Sequence, residues 1–203
     1  MKKMALVLAM TAAGFIANNA MAQESPWLLR VRAVNIAPAN NSDQVGGVGA
    51  SDRLSVQNKT FPEFDVSYFF TKNIAAELIL TYPQKLDVGL DNGNIGSFKA
   101  LPPILTAQYH FMPDGQCSPY VGAGINYTNI SSVSLLGGHG SLDHDTWGLA
   151  AQAGIDYKID KNLSLNLDVK YARIRSNVFA DGALISNVQV DPVLVGLGVG
   201  YRF

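Results

Sequence analysis

The sequence predicts an all-β fold: an eight-stranded antiparallel transmembrane β-barrel with short periplasmic turns and long extracellular loops. Three observations predict it. Apolar side chains recur at every second residue through two long runs, Trp147 to Ile159 and Leu163 to Tyr171, joined by the tight turn Asp160-Lys161-Asn162. Trp147 and Tyr157 share the apolar face of the first run. Ten residues at about 3.3 Å and a tilt of about 40° separate them by roughly 25 Å, the height of the lipid-facing band between the aromatic girdles of an outer-membrane barrel. Finally, no apolar run after residue 22 approaches the roughly 18 residues of a membrane helix. A chain embedded without helices must close its sheet, because open edges cannot be satisfied in lipid.

The same alternation places each strand. Residues 27–34 put Trp27, Leu29, Val31 and Ala33 on one face and Arg30 and Arg32 on the other. Residues 35–60, rich in Gly, Asn, Ser and Asp, read as a long loop. In 61–70, Phe64, Val66, Tyr68 and Phe70 face out, with Asp65 and Ser67 inward. After the turn Thr71-Lys72-Asn73, Ile74, Ala76, Leu78, Leu80 and Tyr82 face out and Glu77 in. Residues 83–97 read as a second long loop. The fourth strand ends with Leu105, Ala107, Tyr109 and Phe111 outward over Thr106, Gln108 and His110, and a polar turn, 112–119, follows. The fifth, 120–130, alternates Val121, Ala123, Ile125 and Tyr127 with Gly122, Gly124 and Asn126. Residues 131–145 and 176–187 read as the third and fourth long loops, flanking the hairpin already described. The last strand sets Val193, Val195, Leu197, Val199, Tyr201 and Phe203 outward.

Short and long connections therefore alternate strictly. Drawn up and down, the outward aromatics fall into two levels. Trp27, Tyr68, Phe70, Tyr109, Phe111, Tyr157, Tyr201 and Phe203 form the lower one, and Phe64, Tyr82, Tyr127, Trp147 and Tyr171 the upper. A soluble lipocalin-like barrel would reverse the polarity of these faces.

The N-terminus reads as a route to that membrane. Lys2 and Lys3, the apolar run 4–17 and Ala20-Met21-Ala22 have the form of a secretory signal peptide over residues 1–22, leaving a barrel of residues 23–203. Without Lys2 and Lys3, 13 basic residues remain against 16 acidic, a balance that gives no reason to expect nucleic-acid binding. Cys117 is the single cysteine, so no intrachain disulfide can form.

The interior face carries the candidate site. Its polar members, a plug in the lower and middle lumen, are Arg30, Arg32, Lys158, Lys170 and Arg202 against Asp65, Glu77, Asp156 and Asp168. Gln108, His110, Asn126, Gln152 and Asn166 lie between them. Charges so confined are expected to pair, because an unpaired buried charge is costly. Toward the extracellular end Val34, Phe61, Ile79, Ile104 and Ile174 face inward, near Pro102 and Pro103, which mark a bulge or a break in pairing. An apolar upper lumen over a polar plug suits a greasy small molecule that leaves sideways through the wall. By the same parity, Trp in place of Gly148 is expected to fill the upper lumen. The bland alternative is that these apolar residues only pack the top of the barrel.

Several stretches resemble the outer-membrane protein W family: Lys99-Ala-Leu-Pro-Pro-Ile-Leu-Thr-Ala-Gln-Tyr-His-Phe111, Pro119-Tyr-Val-Gly-Ala-Gly124, Trp147-Gly-Leu-Ala-Ala-Gln-Ala-Gly-Ile-Asp-Tyr157 and Asp191-Pro192. The ending Gly198-Val-Gly-Tyr201-Arg-Phe203 is similar to the assembly signal read by the barrel-insertion machinery, with Gly198, Tyr201 and Phe203 at its key positions; Leu197, where a polar residue is usual, departs from it. The resemblance implies a bacterial outer-membrane barrel with a narrow hydrophobic channel for passive uptake of small hydrophobic molecules. Its expected partners are those solutes, outer-membrane lipids and lipopolysaccharide, and the insertion machinery. No cofactor and no catalytic residue is implied.

Two other classes of function remain open at this point. A structural or adhesive surface barrel would act through its extracellular loops. A lipid hydrolase on the same scaffold would need a nucleophile system on the lipid side, whereas His110 faces inward and His139 and His144 fall in a loop. His139, Asp143, His144 and Asp145 read as solvated loop residues rather than a metal site, because no rigid element holds them together.

Overall fold

In the computed structural model, which describes residues 25–91 and 93–203, the alternating runs form eight barrel strands. They are β1 (Trp27–Ala37), β2 (Lys59–Phe69), β3 (Ile74–Leu80), β4 (Ile104–His110), β5 (Cys117–Leu135), β6 (Asp145–Lys158), β7 (Leu163–Ala172) and β8 (Val193–Arg202). Each pairs antiparallel with its chain neighbour, and β8 returns to β1, Leu28 opposite Arg202 and Ala37 opposite Val193. The sheet is closed, so the membrane-level ladder has no free edge. The residues expected to form a signal peptide lie outside those described.

Burial follows the parity read from the sequence. Along β1 it alternates strictly, Arg30 and Arg32 in, Leu29 and Val31 out. The outward apolar side chains remain exposed around the whole barrel, which only a lipid surround makes favourable. The aromatics cluster where the girdles were expected. Trp27 packs edge-on against Tyr68 at 4.8 Å, and the pairs Tyr109–Phe111 and Tyr201–Phe203 stand at 5.2 and 5.1 Å near the lower rim. Tyr127 meets Trp147 at 4.9 Å at the upper one. The short periplasmic turns hold themselves closed: Asp160 Oδ1 accepts the backbone N–H of both Asn162 and Leu163, at 2.8 and 2.7 Å, which holds its carboxyl below the usual carboxylate range.

The long loops differ from expectation. All four carry strand structure that lifts the barrel wall outward. Residues 83–97, read as irregular, hold most of a hairpin, Gln84–Leu90 against Gly93–Leu101, whose second strand pairs with the upper part of β5. Residues 176–187 belong to another, Arg175–Ala180 against Ala183–Gln189, closed by Asp181 and Gly182 at φ 48° and 83°. Two left-handed residues make the type of two-residue turn that matches strand twist, and Gly182 occupies the second position without steric cost. The 35–60 segment adds Leu54–Val56 beside Val88–Leu90, and 131–145 adds Gly140–Leu142 beside Val178–Ala180. Gly, Asn and Ser raised the loop signal, but the alternation of Leu86 and Val88 with Lys85 and Asp87 carries the real period. Leu54, Val56, Leu86, Val88, Phe98, Leu135 and Val178 are buried.

Pro102 and Pro103 do interrupt the wall: Leu101 and Ile104 end separate strands that both lie along β5, opposite Asn129 and Asn126. Thr81–Pro83, on the neighbouring segment, is likewise outside any strand. The β2–β3 ladder stops at Phe64 opposite Leu80, so the upper part of β2, from Lys59 to Glu63, has ladder partners only in β1 among the described residues.

Close backbone contact across β4 and β5 makes one glycine indispensable. A Cβ at Gly124 would collide with the carbonyl oxygen of Leu105. Gly124→Ala is therefore expected to prevent barrel closure, read as loss of heat-modifiable migration on electrophoresis. A variant that still migrates as a folded barrel would contradict the register described.

Candidate functional site: an apolar chamber over a charged floor

Pairing register builds the floor. The β1–β2 ladder sets Arg30 opposite Asp65 and Arg32 opposite Glu63, and β6–β7 sets Asp156 opposite Asn166 and Gln152 opposite Lys170. All of these side chains point into the lumen and are buried. Arg30 makes a bidentate pair with Asp156, Nε to Oδ1 at 3.2 Å and Nη2 to Oδ2 at 2.7 Å, and its Nη1 donates to Glu77 Oε1 and Ser67 Oγ, each at 3.0 Å. Arg32 Nη1 reaches Glu63 at 3.0 Å and Asp65 at 3.1 Å; its Nη2 reaches Glu77 at 3.1 Å, and its Nε donates to Asn166 Oδ1 at 2.6 Å. Lys170 Nζ bridges Glu63 and Asp168 at 2.7 and 2.6 Å.

Three cations thus face five carboxylates, and neutral donors add to the coordination of three of them. Tyr120 O–H donates to Asp168 at 2.7 Å, Gln108 and Gln152 donate to Glu77 Oε2 at 2.6 and 2.8 Å, and Asn166 donates to Asp156 at 2.8 Å. The guanidinium forks suit this arrangement because each offers five donors in a fixed plane. Each strand of the barrel except β8 sends at least one side chain into the network.

Seven of the nine residues assigned to the plug from sequence meet here: Arg30, Arg32, Asp65, Glu77, Asp156, Asp168 and Lys170. Lys158 and Arg202 lie lower. Lys158 Nζ donates to the Pro113 carbonyl at 2.6 Å, while Arg202 Nε donates to the Ser25 carbonyl at 2.9 Å and its guanidinium lies 4.2 Å from the Phe69 ring centre. Both sit at strand ends, where the lumen meets the periplasmic turns and backbone carbonyls are at hand. Glu63 and Tyr120 were missed, although parity places both inward and register puts Glu63 beside Arg32.

Above the floor the lining turns apolar. Val34, Phe61, Ile79, Ile104 and Ile174 all belong to one buried apolar cluster, as the parity reading requires. Phe61, Ile104 and Ile174 line a cavity of about 60 Å³ together with Ile36, Leu54, Val56, Leu86, Val88, Phe98, Ile130 and Val178. A water needs ~10–15 Å³ of such space, so the cavity has room for several methylene-sized groups. Val34 and Ile79 belong to the same cluster without lining the cavity. Nearly half of the lining comes from segments that composition had marked as loops, which is why the site is larger than the sequence list.

Gly148 is corrected by the same geometry. A Cβ there would collide with the Arg173 carbonyl oxygen and with Asn126 Oδ1, so a Trp would break the wall instead of filling the lumen. Ala172, buried and in the chamber lining, is the better position for added bulk. In the outer loops His139 Nδ1 stands 2.9 Å from Asp181 Oδ1, whereas Asp143 accepts the Asn177 backbone N–H at 3.2 Å; among the described residues no three His, Cys, Asp or Glu side chains gather as a metal site.

A closed eight-stranded barrel with an apolar outer belt and paired charges inside defines a transmembrane barrel of the bacterial outer membrane. The OmpW family model matches residues 23–203, and the chain belongs to that family. It is 44% identical over 186 residues to the "Uncharacterized outer-membrane protein y4mB" of Sinorhizobium fredii, covering 88% of this chain and 80% of that one. To the "Outer membrane protein W" of Vibrio cholerae it is 32% identical over 197 residues, 89% and 90% of the two chains. The fold is similar to the crystal structure of the outer membrane protein OprG from Pseudomonas aeruginosa, with a TM-score of 0.74 at 28% identity, over 89% of this chain and 97% of that one.

Removing one cation from the floor leaves buried carboxylates uncompensated. Arg32→Met is expected to lower stability by about 3–5 kcal/mol. Lys158→Met, at the rim with a single carbonyl partner, should cost no more than about 1 kcal/mol. Urea unfolding in lipid vesicles compares the two, and equal losses would refute the placement of Lys158 outside the network.

Proposed function

We propose that this barrel admits small hydrophobic molecules passively from outside, holds them in the apolar chamber, and releases them sideways into the bilayer. The observation that carries the reading is the chamber itself: a cavity with an aliphatic and aromatic lining directly above a floor of paired charges. Phe61, Ile104 and Ile174 line the chamber, and Val34 and Ile79 belong to the same apolar cluster. A greasy solute gains by leaving water for such a lining. It gains nothing by crossing the floor, where it would displace charge-assisted hydrogen bonds without replacing them.

The wall supports a lateral route. Thr81–Pro83 and Pro102–Pro103 interrupt the strands at the upper girdle, and the upper part of β2 lacks a ladder partner on the β3 side among the described residues. Separating the wall there breaks fewer backbone hydrogen bonds than anywhere in the continuous ladders of β5 to β8. The floor residues Arg30, Arg32, Asp65, Glu77, Asp156, Asp168 and Lys170 act as a plug. Lys158 and Arg202 border its periplasmic side. The outward belt meets membrane lipids and lipopolysaccharide, and the end of β8, with Gly198, Tyr201 and Phe203, is the segment offered to the barrel-insertion machinery during assembly.

The test is uptake of a labelled medium-chain aliphatic compound by cells lacking the protein, complemented with wild type or Ala172→Phe at equal insertion. Wild type should speed entry, and Ala172→Phe should fall near the rate of the uncomplemented cells. Normal uptake by a correctly folded Ala172→Phe barrel would defeat the luminal route.

A further inference from the structure

We infer that Gln84 is a polar anchor in the chamber wall, selecting solutes whose neutral head carries a hydrogen-bond donor, aliphatic alcohols above all. The inference rests on the chamber being the solute site. Gln84 lines the cavity and is only 3% exposed. Its Nε2 donates to the Tyr82 carbonyl at 3.0 Å. A carbonyl oxygen can only accept, so this contact fixes which way the amide is turned. The opposite end of the amide, Oε1, is buried and accepts no hydrogen bond from the described residues.

Buried acceptors are ordinarily satisfied, because desolvating one without a donor is unfavourable. The other polar side chains of the lining are engaged with the protein. Thr128 Oγ1 accepts from Asn126 Nδ2 at 3.3 Å, and Ser176 Oγ donates to the Asn177 carbonyl at 3.4 Å. Gln84 Oε1 is therefore the lone orphaned side-chain acceptor of that lining among the described residues. The lining holds no Lys, Arg, Asp or Glu, so an ionised carboxylate or ammonium head has no counter-charge and is rejected by desolvation. A ketone or ether head brings only acceptors and cannot serve Oε1. A hydroxyl can.

Position adds a consequence. Gln84 opens the strand that follows Thr81–Pro83, beside the interrupted part of the wall. Thr81 also has a buried hydroxyl oxygen without a partner, three residues earlier. An alcohol bound through Gln84 places its head at the wall and its chain in the chamber.

The test uses the barrel in phosphatidylcholine nanodiscs, with protein-free discs as the partition control. Equilibrium dialysis would compare 1-octanol, its O-methyl ether, which keeps the acceptor and loses the donor, and n-nonane. Gln84→Leu should weaken 1-octanol roughly five- to tenfold, the factor expected for one net hydrogen bond, and leave the ether and n-nonane nearly unchanged. Wild type alone should favour the alcohol over the ether beyond their ratio in empty discs, a comparison that needs no folded variant. If n-nonane binds but neither preference is seen, the anchor is overturned while the apolar chamber stands. If none of the three binds, the chamber reading falls and the anchor with it.

Discussion

The rest of this barrel depends on the two guanidinium groups of Arg30 and Arg32. They rise from one strand at successive inward positions and reach carboxylates on β2, β3 and β6. An eight-stranded barrel has an interior that side chains must fill, and here the filling is charged, so each placement has to satisfy its neighbours. Hydrogen-bonded forks across the lumen tie strands that are far apart in the chain, such as β1 and β6, where Arg30 and Asp156 are 126 residues apart. The floor and the closure of the sheet are thus one construction.

The position of the chamber follows from that floor. Because paired charges occupy the middle lumen, the free volume is divided: a cavity of about 40 Å³ lies below them, beside Lys158 and Arg202, and a larger one of about 60 Å³ lies above, where the inward positions become apolar. The prolines lie at the same height. Pro83, Pro102 and Pro103 cannot donate to a ladder, so strand pairing is interrupted beside the chamber, and Gln84 Oε1, the one buried side-chain acceptor of the lining without a partner among the described residues, stands next to that interruption.

Much of this was legible in the sequence because strand parity is a rigid rule: one residue in, the next out. It gave Arg30, Arg32, Asp65, Glu77, Asp156, Asp168 and Lys170 their common location, and it gave Val34, Phe61, Ile79, Ile104 and Ile174 theirs. Parity says nothing about height, which is why Lys158 and Arg202, correctly inward, were placed in a network that they lie beneath. Nor does it say how closely two backbones approach; Gly148 faces inward as expected, yet has no room for a side chain. The raised hairpins were hidden by composition. Asp91, Gly93 and Asn94 are turn residues, and their density obscured Leu86, Val88 and Phe98 on either side. Gln84 fell in a segment treated as loop, so its isolation within an apolar lining could be recognised only once the wall was in place.

The length of β5 has a further consequence. Its 19 residues, at about 3.3 Å each and a tilt of about 40°, climb roughly 45–50 Å, about twice the apolar thickness that the belt spans. The upper part of β5, with the hairpin that pairs to it, therefore stands clear of the hydrocarbon, at the depth of the outer-leaflet sugars. That hydrated, anionic layer is what excludes greasy compounds from the lipid beneath it. Under the function proposed above, a chimney with an apolar bore would give them a dry passage past that layer without any opening to the periplasm.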